Sequence, residues 1–357
     1  MSKKIRNTRL WLPQAMEARP VNEIPRGPQW QYEPKWDGFR CLLACSQDAV
    51  AMRSKSGQDL ARYFPEIAAA AVALVERDYI LDGELIIPTA QGLSFDDLLQ
   101  RIHPAESRIR RLAVETPALF VAFDLLLRNG INLAGMKLSE RRRELEDFAK
   151  KSFAQSPFRM SPASTMLTDA QQWLKTNGAG TDGVIAKRLD LPYQAGNREG
   201  MQKIKMRRTA DCVVGGFRYG ERSSSAGKKL VGSLLLGLYD TEGLLHHVGF
   251  TSAIKAAEKA DLTAKLEKLR TERSFTGNAP GAPSRWSTKR WSEWVPVRPR
   301  FVIEVLYDHF SDGRFRHGTM IVRWRPDKKP KQCTLEQLAP SGKAGRLKQL
   351  MDHELGV

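Results

Sequence analysis

The octapeptide Glu33-Pro34-Lys35-Trp36-Asp37-Gly38-Phe39-Arg40 constrains this chain more than any other stretch. It follows the strand-like Trp30-Gln31-Tyr32 and leads into the apolar run Phe39 to Cys45, so the chain turns a corner at Asp37-Gly38. An Asp-Gly step gives a tight turn, because glycine takes positive φ without a Cβ penalty. A lysine held two residues before such a corner can project its amine into a pocket. Desolvated, or set among other cations, that amine gives up its proton more readily and becomes a nucleophile. The octapeptide alone is equally compatible with a surface lysine in a hairpin turn, and the rest of the chain separates the two.

The 357 residues suffice for two domains. Lys and Arg number 57 against 40 Asp and Glu, a formal net charge of +17 that favours polyanionic partners, chiefly nucleic acid or anionic membrane. Basic residues are scattered along the chain and not gathered on one amphipathic helix. The longest apolar run, Ile67 to Val75, is too short to span a bilayer, and Met1 to Pro20 lacks a hydrophobic signal core. Nucleic acid is the expected partner, with no membrane role. Cys41, Cys45, Cys212 and Cys333 form no CxxC pair, so no structural zinc site is expected, and Cys41 and Cys45, four apart in an apolar run, read as buried. The implied compartment is reducing and cytoplasmic.

The first two thirds alternate strand-like and helix-like segments. Phe39 to Ala44 and Ala49 to Arg53 read as a hairpin across Ser46-Gln47-Asp48, and Asp59 to Glu76 as an alanine-rich helix. Tyr79 to Ile87 and Ala118 to Leu127 read as buried strands, and Leu138 to Lys151 as a charged helix capped by Ser139. Gly183 to Lys187 and Gln202 to Met206 are short strands. From about Asp211 short strands predominate: Val213 to Phe217, Gly232 to Tyr239, Leu245 to Phe250, Phe301 to Asp308 and Thr319 to Trp324, with a helix over Ile254 to Arg270. Short strands plus one helix suit a small barrel such as an oligonucleotide-binding fold.

Several further segments join Lys35. Leu81-Asp82-Gly83-Glu84-Leu85 places two carboxylates around a glycine, and hard oxygen ligands suit Mg²⁺. Such a triplet is more often only a turn. Phe120-Val121-Ala122-Phe123-Asp124 sets an aromatic beside an acid in a strand, and Phe123 offers either a core side chain or a ring face for a base. Asp182 and Lys187 stand five apart in Asp182-Gly183-Val184-Ile185-Ala186-Lys187, which puts them on opposite faces of a strand unless it twists or bulges. Lys203 and Lys205, two apart, face one side, as a phosphate clamp or as a solvated strand face. Arg323-Trp324-Arg325-Pro326-Asp327-Lys328 packs three cations around one acid, a pattern common on surfaces and also suited to a polyphosphate leaving group.

Taken together in this order, the segments resemble the nucleotidyltransferase motifs of ATP-dependent DNA ligases, a family that shares a covalent-lysine mechanism with RNA ligases and mRNA capping enzymes. Lys35-Trp36-Asp37-Gly38 resembles motif I, Ser54-Lys55-Ser56-Gly57 motif Ia and Phe123-Asp124 motif III. Asp182 to Lys187 resembles motif IV, Lys203 to Lys205 motif V and Arg323 to Lys328 motif VI. Ala61-Arg62-Tyr63-Phe64-Pro65-Glu66, Arg101-Ile102-His103-Pro104-Ala105 and Arg314-Phe315-Arg316-His317 are similar, more narrowly, to the bacterial C type and the ligase module of the D type. The resemblance implies an α+β fold. A nucleotidyltransferase (ATP-grasp-like) domain of antiparallel sheets and helices would occupy residues 1–209, followed by an OB-fold β-barrel domain over residues 210–357.

The same resemblance implies roles. Lys35 would attack the α-phosphate of ATP and carry AMP. Glu33 would lie near the adenine amino group, Phe123 would stack on the base and Arg40 would contact the ribose side. Lys55 would add charge to the phosphate site. Glu84 and Asp182 would serve Mg²⁺ or Mn²⁺ and the ribose, Lys187, Lys203 and Lys205 the phosphate, and Arg325, Asp327 and Lys328 the departing pyrophosphate. A nearby metal ion and the other lysines would depress the pKa of Lys35. Three positions depart from the family pattern: Lys55 stands for arginine, Asp182 for glutamate and Met201 for an aromatic. The implied partner is nicked double-stranded DNA, and the implied state a monomer at the bacterial nucleoid, in repair, with a Ku-like protein as a candidate partner. About thirty residues precede Lys35, short of a usual domain, so Lys228-Lys229, Arg285 to Arg290 and Lys328 to Lys331 are expected to grip DNA. Packing is favoured over base stacking for Trp286, Trp291 and Trp294. An RNA ligase or capping-type enzyme, and a non-catalytic nucleic-acid-binding protein, stay open as alternatives.

Overall fold

The computed structural model describes residues 12–89, 92–175, 181–205, 208–223, 227, 229–281, 293–311 and 313–338. Lys228, Arg285 to Arg290, Trp286 and Trp291 lie outside the described residues. The chain divides into two compact units between Met206 and Arg207. The strand Arg208–Ser223, which spans the position expected for the boundary, belongs wholly to the second unit.

Period-two alternation builds the first sheet of the first unit. Its order is Arg19–Pro20, Met201–Ile204, Thr181–Arg188, Trp30–Trp36. Trp30, Tyr32, Val184, Ala186 and Ile204 bury against Ala170 and Trp173 of the helix Leu167–Lys175. Residues of opposite parity take the other face. Ile185 lies opposite both Glu33 and Lys203, and Lys187 opposite Gln31 and Met201. Three neighbouring strands thus present Glu33, Lys35, Lys187 and Lys203 to one side.

The second sheet has six strands, ordered Phe158–Met160, Leu119–Arg128, Tyr79–Ile86, Phe39–Ser46, Ala49–Ser54, with Ile131–Asn132 added against Leu119–Arg128. One face forms a core with Ile67 and Ala71 of the helix Pro65–Ala73, Leu98 of Phe95–Arg101, and Leu145 and Phe148 of Leu138–Ser152. The expected hairpin closes through Gln47 at φ 53°. The helix expected over Asp59 to Glu76 is shorter, a 3-10 turn Ala61–Tyr63 and then Pro65–Ala73, because Pro65 fits the first helical turn and cannot continue one. Ser139 is not the cap of the helix Leu138–Ser152. Lys137 is, and its backbone N–H donates to the Glu140 carboxylate at 3.1 Å. Glu66 and the fully buried Arg101 pair at 2.7 Å, which ties two segments of the C-type resemblance into one contact.

Asp37-Gly38 is the corner where the chain leaves the first sheet and enters the second. Gly38 is not left-handed, contrary to expectation. It is needed for closeness: a Cβ there would lie 2.1 Å from the Leu85 carbonyl oxygen. Gly183 combines both demands. The register slips between Thr181 and Val184, φ is +138° and a Cβ would lie 2.0 Å from the Ile204 carbonyl oxygen.

The second unit is an antiparallel sheet ordered Leu245–Thr251, Lys229–Tyr239, Arg208–Ser223, Val302–Tyr307, Met320–Trp324. It curls until Thr251 meets Thr319, whose N–H donates to the Phe250 carbonyl at 3.0 Å, and so forms the expected small barrel. The helix is Lys259–Glu267 after a 3-10 turn Ala256–Glu258, shorter than expected. Trp294 packs on Phe275, ring centroids 5.5 Å apart. All four cysteines are free and buried. Among the described residues no helix is long and apolar enough to cross a membrane.

Gly183→Ala should cost more than about 2 kcal/mol, since it meets backbone and a forbidden φ at once. Chemical denaturation checks this, and a loss below about 0.5 kcal/mol would show that the bulge relaxes freely.

Candidate active site

A cavity of about 180 Å³ is lined by both sheets of the first unit. Glu33, Lys35, Lys187 and Lys203 come from the first, Arg40, Glu84 and Phe123 from the second, and Met16, Glu17 and Lys55 complete it. The strand face predicted from alternation is therefore the cavity wall.

Two bulges re-aim the side chains that alternation alone would misplace. At Gly183 the slip carries Asp182 to the lysines: its Oδ2 lies 2.8 Å from Lys35 Nζ and 2.8 Å from Lys205 Nζ. Asp182 and Lys187 therefore serve one region despite their odd spacing. On the strand Leu119–Arg128, Asp124 opposes Asp82 while Ala122 opposes Gly83, so Phe123 is the inserted residue. It reaches the cavity, and Asp124 takes the same sheet face as Asp82.

Buried ion pairs hold the lining in place. Lys187 Nζ donates to Glu33 Oε2 at 2.9 Å and to the Phe123 carbonyl at 3.3 Å, and Gln31 Nε2 donates to Glu33 Oε1 at 2.8 Å. Arg40 donates to both oxygens of Asp82, at 2.5 and 2.6 Å. Its guanidinium lies 4.4 Å from the Phe123 ring centre, and Lys187 Nζ lies 4.5 Å from that centre. Asp82 also accepts from Tyr193 Oη at 2.7 Å, and that hydroxyl accepts from the Met16 N–H at 2.8 Å. Arg141 donates to Asp124 through Nε and Nη2, each at 2.8 Å. Lys55 Nζ lies 3.2 Å from Glu17, which Arg198 also holds. Tyr193, Arg141, Met16 and Glu17 escaped the sequence reading. Asp82 did not, but it serves Arg40 in this structure.

The electrostatics correct one expectation. Burial presses Lys35 toward its neutral form, yet Asp182, aided by Glu84 and Asp37, outweighs it, so the pKa of Lys35 is raised. The depressed lysine is Lys203, through burial and then through Lys35 and Lys205 beside it. Burial pushes the Glu84 carboxyl up to about 7, against Lys35 and Arg40. Among the described residues no three His, Cys, Asp or Glu side chains gather as a metal cluster. Two carboxylates near Lys35, one of them poorly compensated, offer the hard oxygen donors that a Mg²⁺ or Mn²⁺ ion would need.

The remaining candidates lie in the second unit. Arg325 Nη1 donates to Asp211 at 2.8 and 3.0 Å, and its Nε and Nη2 donate to Asp327 at 3.0 and 2.8 Å. Lys328 Nζ donates to Asp211 at 2.6 Å, and Arg323 to Glu304 at 2.6 Å. The three cations therefore meet three carboxylates, where the linear sequence showed one.

Glu84 yields a pH prediction for the metal-free protein. Its folded pKa is above the ordinary 4.5, so the folded state binds more protons between about 4.5 and 7, and stability falls as pH rises through that window. The loss should be about 3 kcal/mol. Glu84→Gln should flatten the profile of Tm against pH in a chelating buffer, and an unchanged profile would place the titration elsewhere.

The comparisons agree with this geometry. Residues 15–205 match the family described as ATP dependent DNA ligase domain, and residues 227–328 the ATP dependent DNA ligase C terminal region. DNA ligase C of Mycobacterium tuberculosis is 43% identical over 338 residues, 90% of this chain and 92% of that protein. DNA ligase C2 of Mycolicibacterium smegmatis is 41% identical over 90% of this chain and 93% of its own length. The multifunctional non-homologous end joining protein LigD of Mycobacterium bovis is 33% identical over 87% of this chain and 38% of its own length. A solved structure from work on Lig E DNA ligases shares the fold, with a TM-score of 0.54, 15% identity, and coverage of 88% of this chain and 100% of that one. A paired-sheet cavity with a lysine at its corner, a barrel after it, and family matches over both units converge: this chain belongs to the ATP-dependent DNA ligases.

Proposed function

We propose that Lys35 is the residue that carries AMP and that the chain seals nicks in double-stranded DNA in three steps. The observation that carries this is the position of Lys35 Nζ: in the cavity wall, on the corner strand, fixed by Asp182. Lys35 loses a proton and its nitrogen attacks the α-phosphorus of ATP. The P–N bond forms as the bond to pyrophosphate breaks. AMP then passes to the 5′-phosphate of the nick, and the 3′-hydroxyl displaces it to close the phosphodiester. The first unit acts as the adenylyltransferase domain, and the second, which opens on the strand Arg208–Ser223, as the OB-fold domain.

Glu33 and Phe123 bind the base, Arg40 the ribose side, and Lys55, Lys187, Lys203 and Lys205 the phosphates. In the protein alone Lys187 is held by Glu33, so that pair orients the base pocket before it touches phosphate. Glu84 and Asp182 would hold Mg²⁺ or Mn²⁺, which supplies positive charge to the phosphates when bound. Arg325, Asp327 and Lys328 orient the departing pyrophosphate. The DNA-joining relatives support DNA over RNA strands as substrate, and the end-joining relative supports a repair role; a Ku-like protein is the candidate partner. The protein works as a cytoplasmic, nucleoid-associated monomer.

Lys35→Ala should abolish covalent labelling by radioactive ATP, and labelling at the wild-type rate would place the nucleophile elsewhere. Arg325→Ala and Lys328→Ala should slow enzyme adenylation by about 2–4 kcal/mol in barrier while sparing the sealing of a pre-adenylated nick. Single-turnover rates on the two substrates separate these steps. Equal slowing of both would assign the cations to DNA or to the fold.

A further inference from the structure

Asp211 stands outside every motif read from the sequence, yet it is the anion on which the motif VI cations converge. It lies on the strand Arg208–Ser223, directly opposite Glu304, which in turn lies opposite Arg323. These three side chains therefore share one sheet face. Arg325 and Lys328 reach Asp211 from beyond the end of the strand Met320–Trp324. Asp327 takes the remaining edge of the guanidinium.

The charge count is decisive. Arg323, Arg325 and Lys328 are offset by Asp211, Glu304 and Asp327, so the cluster is neutral as it stands. Nε, Nη1 and Nη2 of Arg325 all donate to a protein carboxylate. A guanidinium committed in this way has little left for a phosphate oxygen. Lys328 shares Oδ2 of Asp211 with Arg325. An incoming pyrophosphate gains the inner edge of Arg325 only if the Asp211 carboxylate releases it, and it competes with that carboxylate for the charge of Lys328. Such an exchange swaps one anion for another and never strands a cation without a partner.

We propose that Asp211 is a positioning residue that competes with the pyrophosphate portion of ATP for Arg325 and Lys328, holding both cations whenever no triphosphate is engaged. This rests on the reading of Arg325 and Lys328 as pyrophosphate contacts. Asp211 lowers the fraction of molecules ready to grip a triphosphate, and in return it helps pyrophosphate leave once AMP is on the lysine. Apparent affinity falls by the competent fraction.

The test uses the full-length enzyme. Asp211→Asn keeps the shape and leaves intact the two hydrogen bonds between the Asp211 backbone and Gln337, at 2.8 and 3.0 Å. The KM of ATP in enzyme adenylation should fall about tenfold, matching a competent fraction near a tenth. The KM of pyrophosphate in the reverse reaction, release of ATP from the AMP-bound enzyme, should fall by a similar factor. Asp211→Ser should give the same pair of shifts, and serves alone if the asparagine variant does not fold. In an Arg325→Ala/Lys328→Ala background, Asp211→Asn should shift neither KM. KM values that stay unchanged or rise in the folded single variants would overturn the proposal, as would a shift that survives without the two cations. Wild-type adenylation by Arg325→Ala/Lys328→Ala itself would instead show that these cations do not serve pyrophosphate. That result removes the underlying reading and the proposal with it.

Discussion

The Asp182 carboxylate oxygen that touches Lys35 and Lys205 at 2.8 Å each is the contact on which the site's geometry depends. Two ammonium groups brought toward one cavity repel, and in a region of low dielectric that repulsion is large. One shared anion lets them approach. Asp182 can reach them only because Gly183 has no side chain and takes a positive φ, so that the strand bulges toward the Ile204 carbonyl. A glycine in one strand thereby sets the spacing of lysines on two others. The same anion raises the pKa of Lys35 and so favours its protonated form in the protein alone.

Beneath the cavity the charged residues are paired more tightly than solvation alone would favour. Lys187 with Glu33 and Arg141 with Asp124 are almost wholly buried. Such pairs seldom add net stability, because desolvation offsets much of the attraction. Their return is geometric. Each fixes a side chain that lines the cavity or the backbone next to it, which is the preorganisation a phosphoryl-transfer site needs. Tyr193 shows the logic on a small scale: through one hydroxyl it joins Asp82, and hence Arg40, to the Met16 backbone.

Much of this was legible in the chain. The Lys-Trp-Asp-Gly corner and the period-two spacing of Lys203 and Lys205 pointed to the strands that carry the lysines, because alternation is a property of the backbone and does not depend on distant partners. The cavity gathers Glu33, Lys35, Arg40, Lys55, Glu84, Phe123, Lys187 and Lys203, all singled out beforehand. What escaped was contact between segments far apart in sequence. Nothing local marks Tyr193 as the partner of Asp82, or Asp211 as the partner of Lys328, since Tyr193 and Lys328 reach those carboxylates from loops distant in sequence. Bulges are equally hidden: Phe123 and Asp124 read as opposite-facing neighbours until an inserted residue turns both the same way. Gly38 was chosen correctly for the wrong reason, the approach of Leu85 and not a left-handed turn.

The barrel of the second unit ends on the strand Met320–Trp324, joined to the far side through Thr319 and Thr251. That makes it a seam, and a seam in a sheet is an invitation to any stray strand, including one from another copy of the same protein. Met320 and Val322 are exposed there, at 61% and 46%, and would make such pairing adhesive. Arg323 sits between Val322 and Trp324, and Pro326, which has no N–H to offer, follows Arg325. Charge and proline at an open edge are the means by which natural sheets refuse new neighbours. The segment proposed to meet pyrophosphate thus also carries the charge and the proline that discourage pairing at a sheet edge.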